Sequence, residues 1–253
     1  MTIENNKITF IAETDYDNLF IPKNVDGIID DEYAIGFAAI TPKTITVEEG
    51  NPAFFVQNNC LIERATKTLV VAGENAIIPD DGSVEIINDF AFNGNRTLAR
   101  EFVIPEGVTE IGFMAFKDTN VEKFVVPASV EFIDNMAFWC YEKTLKEIVV
   151  DKNNLRYFVE SNCLIYREDD MVVVISIVDR NVREVVIPQG VKTIGEGVFF
   201  LSDFEKVYLP STLLHIHTNN FDLKEGRKIG CKENAYFFQF CERNHIVFGG
   251  EEW

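Results

Sequence analysis

Three histidines and five cysteines are the side chains best suited to chemistry in this 253-residue chain. His215 and His217 flank Ile216. On a strand that spacing puts both imidazoles on one face, where two nitrogens could ligate a metal. No third ligand follows from the spacing, so the pair reads as surface histidines and no metal is expected. His245 lies close to Cys241, but a cysteine–histidine nucleophile also needs an orienting group and a cleft, and neither is visible. Cys60, Cys140, Cys163, Cys231 and Cys241 are odd in number and form no C-x-x-C pair. That fits neither a disulfide scaffold nor a zinc site and leaves buried thiols as the reading. The acidic clusters at Asp15–Asn18, Asp30–Glu32, Asp80–Gly82 and Asp169–Asp170 lack the loop spacing that gathers six to eight oxygens on calcium, and read as solvated turns. Phosphate-loop, nucleophile-elbow, zinc-protease and dinucleotide signatures are missing. The expectation is a protein that is not an enzyme and carries no cofactor.

What must position these side chains is a repeat. Its unit is an apolar residue, two variable positions, an apolar-x-apolar triplet and a proline. A small apolar residue follows, then an isoleucine three later and an aromatic five after that. Clear copies are Val121–Pro127 with Val130, Ile133 and Phe138, and Phe204–Pro210 with Leu213, Ile216 and Phe221. Two more are Val182–Pro188 with Val191, Ile194 and Phe199, and Phe102–Pro105 with Val108, Ile111 and Phe116. A degenerate copy opens the chain at Tyr16, Leu19, Ile21, Pro22, Val25, Ile28 and Tyr33.

Triplets begin at Leu19, Ile45, Ala76, Phe102, Phe124, Ile148, Val185, Val207 and Ile229, nine rungs at intervals of 22 to 37 residues. Each interval is long enough for a strand and a return path, too short for a domain. Alternation within the triplet predicts a short strand with its first and third side chains inward. The proline that follows cannot donate to a ladder and ends the strand. The aromatics Phe92, Phe116, Phe138, Phe199 and Phe221 should stack as one internal column.

A longer period overlies this one. Residues 51–62 match residues 154–165 at an offset of 103, with Asn, Phe, Val, Asn, Cys, Leu and Ile identical. Rungs 45, 76, 102 and 124 thus pair with rungs 148, 185, 207 and 229 as an internal duplication. Each copy carries an enlarged rung, a hairpin insertion near residues 51–72 and 154–176, with Cys60 and Cys163 in equivalent core positions.

Function has room only on the outward positions. The middle of each triplet holds Phe20, Thr46, Ile77, Val103, Val125, Val149, Val186, Tyr208 and Gly230. This mostly apolar column has two readings: a ladder of β-branched residues that suits neighbouring strands, or an apolar stripe for a partner. The partner-binding candidates are Phe20, Ile77, Val103, Val125, Val149, Val186 and Tyr208. Two positions before the triplets run Glu74, Arg100, Glu122, Lys146, Arg183, Glu205 and Arg227, and directly before them Glu101, Lys123, Glu147, Glu184, Lys206 and Lys228. Mostly alternating signs predict opposite charges facing each other from rung to rung, a register device.

These residues resemble the BspA-like, or Treponema-type, leucine-rich repeats. The family pattern IP-x-x-V-x-x-I-x-x-x-A-F fits Ile104-Pro105 through Val108 and Ile111 to Ala115-Phe116, and the resemblance spans roughly residues 14–248; Val198 and Asn220 depart from it in place of Ala. It implies a right-handed leucine-rich-repeat superhelix: a repeat solenoid of mostly short parallel strands with irregular or short helical returns. A helix near Glu233–Asn244 and a strand at Ile246–Phe248 would close it. The expected organisation is one solenoid domain over 1–253, with a degenerate cap at 1–44, duplicated blocks over 45–226, and the last rung and cap at 227–253. The resemblance further implies a non-catalytic recognition protein that binds a protein partner through its concave β-sheet, adhesin-like and displayed on the cell surface or secreted. A spacer without its own ligand, or a carbohydrate-binding protein, are the alternatives.

Charge narrows the partner. Forty-one acidic residues against 23 basic ones leave a net −18, which opposes binding to nucleic acid or to an anionic membrane surface. Residues 1–93 carry 16 acids against 5 bases, so −11, and make the amino-terminal third the most acidic part. The longest apolar run, Met171–Val178, is far short of the ~20 residues that span a bilayer. The segment Met1–Lys7 shows no secretory-leader features, which keeps a cytoplasmic location open.

Overall fold

A computed structural model describes residues 2–10, 17–28, 41–134, 136–200, 202–217, 228–231 and 234–243. It is a β-solenoid, strands almost throughout, with one helix among the described residues, Ala235–Arg243. Two compact units divide it, Met1–Thr144 and Leu145–Trp253, and the division falls just before the rung at Ile148, where the second copy of the duplicated block begins.

In the first unit the triplets at Leu19 and Ile45 lie in strands Asn18–Ile21 and Thr44–Val47, which pair in parallel. Those at Phe102 and Phe124 lie in strands Glu101–Val103 and Lys123–Val126, also parallel. Side chains alternate out and in along them, with Leu19, Ile21, Phe102, Ile104, Phe124 and Val126 buried. Prolines 22, 105 and 127 end these segments as their missing N–H requires.

The rung at Ala76 departs from expectation. Ala76 and Ile78 are buried and Ile77 is exposed, so the alternation survives, yet residues 76–79 join no ladder. The physical cause is the four-residue step from the end of strand Thr68–Ala72. Over it the backbone donors go to neighbouring loops: Gly73 N–H to Asn59 O at 2.9 Å, Glu74 N–H to Pro42 O at 2.8 Å and Ile77 N–H to Asn58 O at 3.3 Å. A side chain at Gly73 would place its Cβ 2.3 Å from the Asn59 amide. In the second unit the matching step, from Ile177 to Val185, is twice as long, and strand Glu184–Val186 reaches the ladder.

The return paths hold no helix among the described residues. The isoleucine of each V-x-x-I sits inside a two-residue strand: Ile86–Ile87, Glu110–Ile111 and Phe132–Ile133 in the first unit. These form a second parallel ladder that continues through the inserted hairpin, Thr68–Ala72, Cys60–Glu63 and Phe54–Gln57, into one six-stranded sheet. The second unit repeats this with His215–Ile216, Thr193–Ile194, Met171–Ile177, Cys163–Glu168 and Tyr157–Glu160, beside a parallel sheet of Glu184–Val186, Lys206–Leu209 and Lys228–Cys231. Both hairpins turn through two left-handed residues, Asn58-Asn59 at φ 50° and 61° and Ser161-Asn162 at 49° and 65°, the conformation that a two-residue hairpin loop demands.

The first unit stacks the expected aromatics. Phe92 and Phe116 lie 4.8 Å apart and Phe116 and Phe138 5.8 Å apart, both pairs 14° from parallel. Phe102 and Phe124 interleave with them from the strands at 4.6–5.5 Å. Phe199 is buried in the second unit against Phe204; Phe221 lies outside the described residues. The turn alanines Ala91, Ala115 and Ala137 are buried, and Val198 is accommodated in the same place.

Asn234 starts the closing helix. Its Oδ1 accepts the Phe237 N–H at 3.0 Å, an N-cap bond, and its Nδ2 donates to the Leu213 carbonyl at 2.8 Å. Phe237, Phe240 and Cys241 thereby cover the core formed by Leu213, Ile216 and Ile229. The expected strand at 246–248, together with His245, Tyr16 and Tyr33, lies outside the described residues.

Candidate functional site

Every candidate on the strand column points away from the core of its unit. In the first, Phe20, Ile77 and Val103 are 47%, 67% and 60% exposed, and Val125 is half-buried. In the second, Val186 is 50% exposed, Val149 is exposed and Tyr208 is half-buried. Register makes neighbours of some: Val103 sits beside Val125, and Val186 beside Tyr208, which is in turn beside Gly230. Ile77 stands apart from the ladder, on the rung that forms no strand.

The flanking charges pair across rungs as their alternation predicts. Arg100 Nη1 is 2.9 Å from Glu122 Oε1 and Lys123 Nζ 3.8 Å from Glu101 Oε1 in the first unit. Arg183 Nη1 is 3.0 Å from Glu205 Oε1 and Lys206 Nζ 3.3 Å from Glu184 Oε1 in the second. Exposed pairs of this kind contribute ~0–1 kcal/mol each. Their consequence for the face is neutralisation: the apolar column runs beside charges that satisfy one another. Arg227 and the side chain of Lys228 lie outside the described residues.

Of the chemically capable residues, Cys60 and Cys163 are fully buried, and burial pushes both thiols up to about 12. Each lies near backbone oxygens of its own hairpin and of the adjoining triplet, Asn58 and Ile77 for Cys60, Ser161 and Val186 for Cys163. Thiols this reluctant to ionise are core groups. His215 and His217 contact edge to face at 4.8 Å, and among the described residues no three His, Cys, Asp or Glu side chains gather as a metal site.

Three features escape inspection of the repeat alone. Asn51 is buried and ties its hairpin to the preceding turn, its Nδ2 donating to Pro22 O and Val25 O and its Oδ1 accepting from Ala53 and Phe54; Asn234 does the same for the helix. On the second hairpin Tyr166 donates to Glu168 at 2.5 Å and Arg156 pairs with the same carboxylate. The Tyr166 hydroxyl, followed by the Arg156 guanidinium, holds that carboxyl below its usual range. Third, Arg64 lies 4.6 Å over the ring of Phe55 and Arg167 5.3 Å over that of Phe158. The 103-residue offset relates Phe55 to Phe158 and Arg64 to Arg167, so the signal for this pair stood in the duplication.

The family profile of the BspA type leucine-rich repeat region matches residues 72–166 and 179–249, in 6 copies. Among solved structures, a leucine-rich repeat protein from Eubacterium ventriosum aligns with 74% of this chain at 18% identity and a TM-score of 0.51. A leucine-rich cell surface protein from Faecalibacterium prausnitzii aligns with 85% at 20% identity and the same TM-score, 0.51. The alignments cover 53% and 60% of those two chains, so this chain spans little more than half their length. No curated protein matches the sequence.

Proposed function

The chain belongs to the BspA type leucine-rich repeat family, and from that premise we propose that it is a non-catalytic recognition module of adhesin-like character, displayed at a cell surface, that holds a protein partner on the outward strand columns of its units. One observation carries the reading: the apolar side chains Phe20, Ile77, Val103 and Val186 are about half exposed or more on positions where a solvated sheet face ordinarily takes polar residues. Aromatic Phe20 and Tyr208 are the natural anchors. The surface description of the F. prausnitzii relative is in keeping with display. Because the neighbouring charges pair with each other, binding here depends on apolar burial and changes little with salt.

The test is an array of purified extracellular proteins probed with the full chain, followed by Tyr208→Ala and Val125→Glu in the interaction found. Both variants should weaken binding by about tenfold or more with an unchanged melting transition. Binding unaltered by both would overturn the proposal, and no saturable partner on the array would favour a spacer.

A further inference from the structure

Each inserted hairpin opens with a strand that ends its sheet: Phe54–Gln57 in the first unit and Tyr157–Glu160 in the second. A two-residue turn makes Gln57 and Cys60 a hydrogen-bonded pair, so along the strand Phe55 bonds inward while Phe54 and Val56 face the open edge. The Phe54 N–H is taken by Asn51 Oδ1 at 2.8 Å. Among the described residues the N–H and C=O of Val56 take no partner at this edge. The second hairpin has the same register, with Tyr157 N–H taken by Asn154 Oδ1 at 2.8 Å and the backbone of Val159 without a partner at the edge among the described residues.

Beside each open edge stands an exposed arginine with its guanidinium over a phenylalanine ring, Arg64 on Phe55 and Arg167 on Phe158. Arg96, Arg100, Arg156 and Arg183 each have a carboxylate partner. Arg64 and Arg167 have none among the described residues, in a chain with 41 acidic side chains to choose from. An arginine held flat on a ring keeps its planar fork of N–H donors directed outward, the geometry that grips a carboxylate through two parallel bonds. In the first unit an open cleft lies along this edge, lined by Val47, Gly50, Phe54, Val56 and Arg64, with Glu48 and Glu49 also in its wall.

We propose that the two hairpins are equivalent peptide-binding sites, separate from the strand columns. An extended segment of an acidic partner adds as a strand to the edge at Val56 or Val159 and places an Asp or Glu carboxylate on Arg64 or Arg167. Main-chain bonds supply affinity and the arginine selects the side chain, as in other strand-addition complexes. The second site is the tighter one: where the first has Glu48 and Glu49, the duplication places Asp151 and Lys152.

The probe is an end-blocked peptide of alternating valine and glutamate titrated into the isotopically labelled full chain, with lysine replacing glutamate in the control. Amide signals of Val56 and Val159 should shift with the glutamate peptide, and Val159 should saturate first. R64Q and R167Q should each weaken their own site about tenfold, whereas Tyr208→Ala should leave both sites unchanged. Three results would overturn the proposal: equal binding of the lysine peptide, wild-type binding by the double variant R64Q/R167Q, or no shift of the two valine amides at millimolar glutamate peptide. Since the readout on the edge is made in the native chain, it does not depend on any variant folding.

Discussion

Apart from the rung at Ala76, the two copies of the duplicated block hold the same backbone register over different cores. In the first, two triplets open with Phe102 and Phe124, whose rings interlock with Phe92, Phe116 and Phe138, five rings in all. In the second, the positions of Phe102 and Phe124 are held by Val207 and Ile229, which pack with Val185, Phe199 and Phe204. Yet Phe102 pairs with Phe124 just as Val185 pairs with Val207 and Val207 with Ile229. The register is therefore indifferent to side-chain volume at these positions, which is free to vary beneath it. A solenoid tolerates this because each rung packs only on its neighbours. The rings of the first copy tie several rungs at once: Phe116 alone meets Phe92, Phe102, Phe124 and Phe138.

The largest test of that contrast is truncation of the central ring. Phe116→Ala should cost ~3–5 kcal/mol, the range for a buried ring. Val207→Ala should cost ~2 kcal/mol, from about 0.8 kcal/mol per lost CH2 and a small cavity. Both are read from denaturant unfolding, following signals from each unit separately. Equal losses at the two sites would mean that the ring column ties rungs no better than valine does.

A smaller effect distinguishes the two hairpin turns. Asn59 accepts the Ile45 N–H and donates to Lys43 O and Glu74 O, while Asn162 exchanges two bonds with Asp179 alone. Glycine in either place keeps the left-handed backbone and removes only the side-chain bonds. Asn59→Gly should therefore cost ~3 kcal/mol and Asn162→Gly ~2 kcal/mol, at about 1 kcal/mol per net bond. The reverse order in thermal or chemical unfolding would show that the turn at Asn59 does not anchor the short step to Ala76.

Most of this architecture is legible in the sequence because its cause is periodic. Apolar-x-apolar-Pro locates the strands, V-x-x-I-x-x-x-x-F locates the buried isoleucine and ring, and the 103-residue offset locates the hairpins. What the period does not carry is loop length. The return strands arise because Ile87, Ile111 and Ile133 align in register across rungs, and the loss of the ladder at Ala76 arises because four residues fail to span what eight do. The outward column could be read directly, since alternation fixes which face a residue takes. The Arg64 and Arg167 pairs could not be read from one rung, because a guanidinium over a ring depends on the diagonal between two antiparallel strands.

The smallest test concerns the charge ladders. Arg100–Glu122 and Arg183–Glu205 have equivalent geometry at 2.9 and 3.0 Å, but the Glu122 side chain is 35% exposed and that of Glu205 62%. A less hydrated carboxylate interacts through a lower effective dielectric, so a double-mutant cycle should give the first pair the larger coupling, both within ~0.2–1 kcal/mol. At 1 M salt, where the screening length falls to about 3 Å, both couplings should collapse. A pair in the second unit that matched the first at low salt would place the ladders' value in register alone: opposite charges then matter because a slipped strand would bring like charges together, and only charge reversal, Glu205→Arg, would reveal the cost.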